Sequence, residues 1–187
     1  LSGDLNGMDF VSKRLGGDVV IRYEEGWNLI SLPLPLSSAD VGDLFPHASG
    51  NAYEYVPDEG YVEVTELAFG KGYWVKFLQR DSIIVNGLYA TSMEVTLQDE
   101  FGGWNLIGAP SGPVPLTSIE DDPAGALLVL YDYHPSEGYR IPPGGIVRPG
   151  RGYFVKVNVE AVARFIVQSF APGSLILLDE SLRFPGA

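Results

Sequence analysis

One stretch of this sequence occurs twice, and no other feature restricts its folding as strongly. Gly26-Trp27-Asn28-Leu29-Ile30 returns as Gly103-Trp104-Asn105-Leu106-Ile107, and each copy reaches a proline three residues on, at Pro33 and Pro110. Tyr53-Glu54-Tyr55 is answered by Tyr131-Asp132-Tyr133, and Pro57-Asp58-Glu59-Gly60-Tyr61 by Pro135-Ser136-Glu137-Gly138-Tyr139. Gly70-Lys71-Gly72-Tyr73-Trp74-Val75-Lys76 is answered by Gly150-Arg151-Gly152-Tyr153-Phe154-Val155-Lys156. Four blocks in one order, at nearly one spacing, define a tandem duplication joined near residues 86–92. The period is longer than the ~20–50 residues of most solenoid repeats. Each copy is the size of a very small domain, whose core alone is marginal. The copies are therefore expected to pack on each other with approximate two-fold pseudosymmetry. The first repeat is expected over 1–90, with its core in 19–86. The second is expected over 91–187, with its core in 93–168.

The blocks read as strands. Val19 to Tyr23 is short and β-branched, and Trp27 to Leu32 is apolar on both faces, as in a central strand covered on both sides. Tyr53 to Tyr55 and Tyr61 to Val64 flank a turn that Pro57 opens and Gly60 closes, the pattern of a hairpin. Tyr73, Val75 and Phe77 alternate with Trp74 and Lys76, one set on each face. Ser82 to Val85, Met93 to Leu97 and Arg164 to Val167 complete the set, and Ser174 to Leu178 is a candidate terminal strand. Helix is scarce: Ser37 to Phe45 has room for one or two turns entered through a serine cap, and Leu116 to Ile119 sits in the matching place. The expectation is an all-β fold of two tandem sandwich-like or barrel-like repeats, with about five or six strands in each.

Composition agrees. Glycine and proline supply about a fifth of the 187 residues against a usual ~12%, and aromatics reach 12%. The net charge of −12 would repel phosphate backbones and anionic lipid, which argues against nucleic acid and membrane insertion as partners. There is no cysteine, so thiolate metal sites, disulfides and cysteine nucleophiles are ruled out. The sequence opens on the polar Leu1-Ser2-Gly3-Asp4, not on a basic stretch followed by an apolar one, so no signal peptide is expected within these residues, one having been removed or the chain being a piece of a longer protein.

The pattern Gly-Trp-Asn-Leu-Ile-Ser-x-Pro, followed by Gly-x-Gly-Tyr-Trp-Val-Lys, resembles a repeat of large secreted and surface proteins of bacteria of the Bacteroidetes and Chlorobi kind. The resemblance spans Gly26 to Lys76 and Gly103 to Lys156. The second copy departs from it at Gly108, where the first has Ser31, and at Phe154, where the first has Trp74. It implies a secreted or cell-surface location and an accessory, modular role, and no reaction.

Trp27 and Trp104, at the head of apolar strands, are expected to anchor the cores. Trp74 and Phe154 share a face with Lys76 and Lys156. If the Tyr/Val face is the core, they pack between the copies or stand outward for stacking on a sugar ring or a peptide. Tyr61 and Tyr139, with the Tyr53/Tyr55 and Tyr131/Tyr133 pairs, pin hairpin register or add contact area. The candidate ligand-binding residues are thus Trp74, Lys76, Tyr61, Tyr139, Phe154 and Lys156. Asp4 to Asp9 is faintly like a calcium loop but lacks regular oxygen ligands and a glutamate at the twelfth position. Asp58-Glu59, Asp99-Glu100 and Asp121-Asp122 read as solvated turn charge. The two histidines, His47 and His134, fall at unmatched points of the copies, and no nucleophile, zinc or phosphate-loop motif occurs. No catalytic residue, metal or cofactor is expected.

The reading is a non-catalytic structural or interaction module of a larger chain, whose partners are that chain's other domains. The alternative is a carbohydrate- or peptide-binding module using exposed aromatics. A more remote one is a small hydrolase with an Asp/Glu pair.

Overall fold

The computed structural model describes residues 16–37 and 39–168. The candidate calcium loop, the Ser174 to Leu178 segment and Ser38 lie outside them. In the first repeat the elements are β1 (Gly16–Tyr23), β2 (Gly26–Ser31), α1 (Val41–Leu44), β3 (Ala52–Val56), β4 (Gly60–Val64), β5 (Gly72–Phe77) and β6 (Asp81–Leu88). In the second they are β7 (Ser92–Leu97), β8 (Trp104–Ile107), β9 (Val114–Pro115), β10 (Glu120–Asp122), β11 (Leu127–His134), β12 (Gly138–Arg140), β13 (Ile146–Val147), β14 (Tyr153–Val157) and β15 (Ala161–Ile166). Three 3-10 turns complete the inventory, at Glu100–Gly102, Leu116–Ser118 and Pro143–Gly145.

The fold is all-β, and every ladder between these strands is antiparallel. The first repeat forms a four-stranded sheet, β2-β5-β3-β4, covered by the β1-β6 pair. The second forms β8-β14-β11-β12, covered by β7-β15-β10. The duplicated blocks thus occupy matching places in the two orders. The first repeat has six strands; the second has nine, because the short β9, β10 and β13 arise in connections where the first repeat has α1 and loops.

Alternation fills each core. Tyr73, Val75 and Phe77 face Val19, Ile21, Tyr23 and Val85 of the covering pair. Tyr153, Val155 and Val157 face Met93, Leu97, Ala163 and Phe165 in the second repeat. The helix is a single turn capped by Asp40, not by a serine: Asp40 Oδ1 accepts from the Gly42 and Asp43 N–H groups at 2.9 and 3.1 Å. The hairpin turns close through Gly60 and Gly138 at φ +85° and +74°, a region where a side chain would be strained.

The repeated asparagine has a local task in both copies. Asn28 Oδ1 accepts from the Glu24 N–H, and its Nδ2 donates to the Glu24 and Gly26 carbonyls, at 2.8–3.0 Å. Asn105 makes the same three bonds to Gln98 and Gly103. Both side chains are buried and tie the end of the covering strand to the start of the next. Asn28→Ala leaves backbone groups unpaired and is expected to cost about 2 kcal/mol in urea unfolding; an unchanged midpoint would refute this role.

The repeats meet backbone to backbone. Ser31 N–H donates to the Gly150 carbonyl at 3.1 Å, Gly152 N–H to Leu29 at 3.2 Å, and Gly108 N–H to Gly70 at 2.9 Å. Ile30 bridges Arg151, and Ile107 bridges Lys71. The buried Ser31 hydroxyl donates to the Arg151 carbonyl at 2.8 Å. A Cβ on Gly108 would lie 3.0 Å from the Cβ of Ser31 and 2.9 Å from the Lys71 carbonyl oxygen. The serine of one copy occupies the space its counterpart would need, so the other copy has glycine. β2 is an edge strand by hydrogen bonding, not a central one. From Asn28 to Ser31 it is nonetheless buried.

Candidate functional site

Strand register assembles an aromatic face on each four-stranded sheet. Trp27 lies opposite Lys76, Leu29 opposite Trp74, Trp74 opposite Tyr53, Tyr53 opposite Glu63 and Tyr55 opposite Tyr61. Residues opposite one another in a ladder share a face. In the second repeat Trp104 lies opposite Lys156, Phe154 opposite Leu106 and Tyr131, and Tyr133 opposite Tyr139.

These two faces meet. Leu29, Leu106 and Phe154 form a buried centre, with Tyr55, Trp74, Trp104, Tyr131 and Tyr133 packed around it. Across the junction Trp74 sits edge-on to Tyr133 at 4.6 Å between ring centroids, and Tyr55 sits edge-on to Phe154 at 5.8 Å. On one side the contact stays open. Trp27, Tyr53, Tyr61 and Trp74 of the first repeat and Tyr133 of the second line a groove of about 460 Å³. Its rings are crossed: Trp27 and Trp74 stand at 90°, Trp27 and Tyr53 at 64°.

The counterpart rings on the other side are arranged differently, and Trp104 is less exposed than Trp27. Trp104 lies nearly parallel to Tyr131, at 28°, and Lys156 Nζ sits 5.3 Å over the Trp104 ring. Phe154 is only 7% exposed.

Of the residues singled out from sequence, Trp74 and Tyr61 line the groove. Tyr139, 52% exposed, lies beside Trp74 at its edge. Lys76 is exposed on the groove face, whereas Phe154 is buried and Lys156 is engaged with Trp104. The expectation that Trp27 and Trp104 anchor the cores is corrected: Trp27 is 42% exposed and Trp104 half-buried, both on the outer face. The inward positions belong to Asn28 and Ile30. Trp27, Tyr53 and Tyr133 are groove residues the motif reading missed; the signal was present, since Trp27, two residues before Leu29, takes Leu29's face.

Several other ionisable groups have structural partners. His47 Nε2 is 3.0 Å from Asp81 Oδ2. His134 Nδ1 meets the Ser136 hydroxyl at 2.9 Å, and burial, then Arg140, holds its pKa below the usual value. Asp121, expected as turn charge, lies in β10, and its carboxylate accepts the Leu127 N–H at 2.8 Å, which lowers its pKa. The Glu137 carboxyl is lowered by its bond to Arg140. Among the described residues no group of three or more His, Asp or Glu could hold a metal, and no helix is long and apolar enough to cross a membrane.

Four phenols are raised. Burial raises Tyr23, Tyr73 and Tyr153. Burial first, then the neighbouring Tyr61, pushes Tyr139 up to about 12. A free phenol ionises near pH ~10, so above that pH the unfolded chain releases protons the folded chain keeps. Stability is therefore full below pH ~10 and declines as pH rises through it toward the folded values. The urea midpoint is expected to hold at about pH 9 and fall by about pH 11; a midpoint that rises over that interval would contradict the assignment.

No protein family, curated protein or solved structure matches the chain.

Proposed function

We propose that this chain is a non-catalytic interaction module of a larger secreted or cell-surface bacterial protein, and that it acts by recognition in the aromatic groove. The observation that carries this reading is the groove: five rings from both repeats, with Trp27 and Tyr61 42% and 54% exposed. Large rigid aromatics offer contact area at low conformational cost, and concave apolar surfaces with a few polar groups are where ligands bind. The ligand is carbohydrate or peptide, and other domains of the same chain are further partners. The net charge of −12 weighs against nucleic acid and membrane insertion. The Asp121 and Glu137 carboxyls are shifted down, so neither suits the general acid of a hydrolase.

In this reading repeats 1–90 and 91–187 are halves of one unit with approximate two-fold pseudosymmetry. Reciprocal contacts support it: Ile30 with Arg151 and Ile107 with Lys71, Tyr55 with Phe154 and Tyr133 with Trp74.

The test is a glycan and peptide array screen of the intact chain beside Trp27→Ala, chosen because Trp27 is exposed and truncation there spares the junction. Saturable binding weakened about tenfold in the variant, at an unchanged melting temperature, is expected. Binding to nothing would favour a second reading, a rigid spacer, whose supporting observation is the backbone-to-backbone junction.

A further inference from the structure

We propose that the groove takes a proline-rich peptide in polyproline II conformation, carrying a basic residue that meets the β3–β4 hairpin. This deepens the recognition reading above and rests on it. Three observations select the occupant.

The first is ring geometry. Rings crossed at 64–90° in edge contact give the groove angled, ridged aromatic walls, not a flat platform. Such relief suits the projecting pyrrolidine rings of a polyproline II helix, which docks in aromatic grooves at low entropic cost because it is preformed. A pyranose stacks by its face and is better served by a flat platform.

The second is hydrogen-bonding character. The polar atoms of the lining are the indole N–H groups of Trp27 and Trp74, which only donate, and the hydroxyls of Tyr53, Tyr61 and Tyr133. A prolyl segment has carbonyl acceptors and no backbone N–H to satisfy. Its needs match these donors. A sugar's many hydroxyls also require acceptors; the lining has no carboxylate or amide side chain, and only its three tyrosine hydroxyls can accept.

The third is charge. The β3–β4 hairpin that supplies Tyr53 and Tyr61 holds Glu54, Asp58, Glu59 and Glu63 and no lysine or arginine. Glu54 is paired with Lys71. Asp58, Glu59 and Glu63 are exposed, and Glu63 lies opposite the groove residue Tyr53 while accepting from Asn51. Lys76 is the cation on the groove face, at its Trp27 side. The hairpin side is thus acidic and suits a cationic residue next to the prolines.

The test is a tryptophan-fluorescence titration of the intact chain with a synthetic peptide of one arginine followed by a run of prolines. Cellohexaose and chitohexaose serve as comparison ligands. Two of the three tryptophans, Trp27 and Trp74, line the groove, so binding is read directly. The peptide is expected to bind saturably. Trp27→Ala and Tyr61→Ala should each weaken it about tenfold or more. Glu63→Lys, or raising NaCl from about 0.05 M to about 0.5 M, should weaken it several-fold. Oligosaccharide binding that Tyr61→Ala abolishes, with no response to the peptide, would overturn the proline-rich assignment and keep the groove as a recognition site. No response to any ligand, with all variants folded as judged by melting temperature, would overturn both. Peptide binding that the two groove variants leave intact would place it elsewhere and also overturn the proposal.

Discussion

Gly72→Val is expected to lower the melting temperature by roughly 6–12 °C, the equivalent of about 3 kcal/mol in a chain of this size. Gly72 opens β5 at the junction between the repeats. A Cβ there would lie 2.5 Å from the Ile107 carbonyl oxygen and 2.9 Å from Leu106 Cδ1. The oxygen belongs to backbone held by the Lys71–Ile107 bridge and the Gly108 to Gly70 hydrogen bond. Relief requires the two sheets to move apart, which would uncover Leu29, Leu106 and Phe154. Gly87→Ala is the control, because its nearest contact would be an ordinary 3.4 Å to the end of Leu36. Differential scanning calorimetry reads the result. Equal melting temperatures for the two variants would mean that the repeats are not in backbone contact at Gly72.

Phe77→Ala is expected to cost about 4 kcal/mol. Phe77 is 1% exposed, stacks on Tyr23 at 3.7 Å and 17°, and meets Phe45 edge-on at 5.4 Å. Truncation removes one ring of a three-ring cluster, in which Tyr23 and Phe45 also meet edge-on at 5.8 Å, and leaves a cavity that the β1-β6 pair can close only in part. Urea unfolding should register the loss with an unchanged slope. A cost below about 1 kcal/mol would show that the site collapses freely, contrary to the packing described. The second repeat carries Val157 at the matching place, so this aromatic stack belongs to the first repeat alone.

Much of the fold was legible because it rests on local signals. The Pro57 to Gly60 turn and its copy fix hairpins through proline and glycine backbone preferences. The alternation Tyr73-Trp74-Val75-Lys76-Phe77 sorts core from surface without help from distant residues. The tryptophans of the repeated motif were misread because a large ring at the head of an apolar strand looks like a core residue. Which face of β2 turns inward depends on pairing with β5, and Asn28 takes the inward position because it closes the bend with three hydrogen bonds. The groove was half legible. Trp74, Tyr61 and Tyr139 followed from alternation and the hairpin, but Tyr133 joins it only through docking of the repeats, a contact no single block encodes. Gly108 in place of Ser31, and Gly72 and Gly152 of the repeated Gly-x-Gly block, were traces of that docking, and their meaning required the close backbone approaches at the junction.

The most direct test of the groove as the recognition site is a proton–nitrogen NMR titration of the intact chain with the tightest array ligand, following the three indole N–H signals. Trp27 and Trp74 line the groove and Trp104 lies among the counterpart rings on the other side. The account predicts that the Trp27 and Trp74 signals move together with one dissociation constant while Trp104 stays. Movement of Trp104 alone, or a bound ligand that moves none of the three, would contradict it.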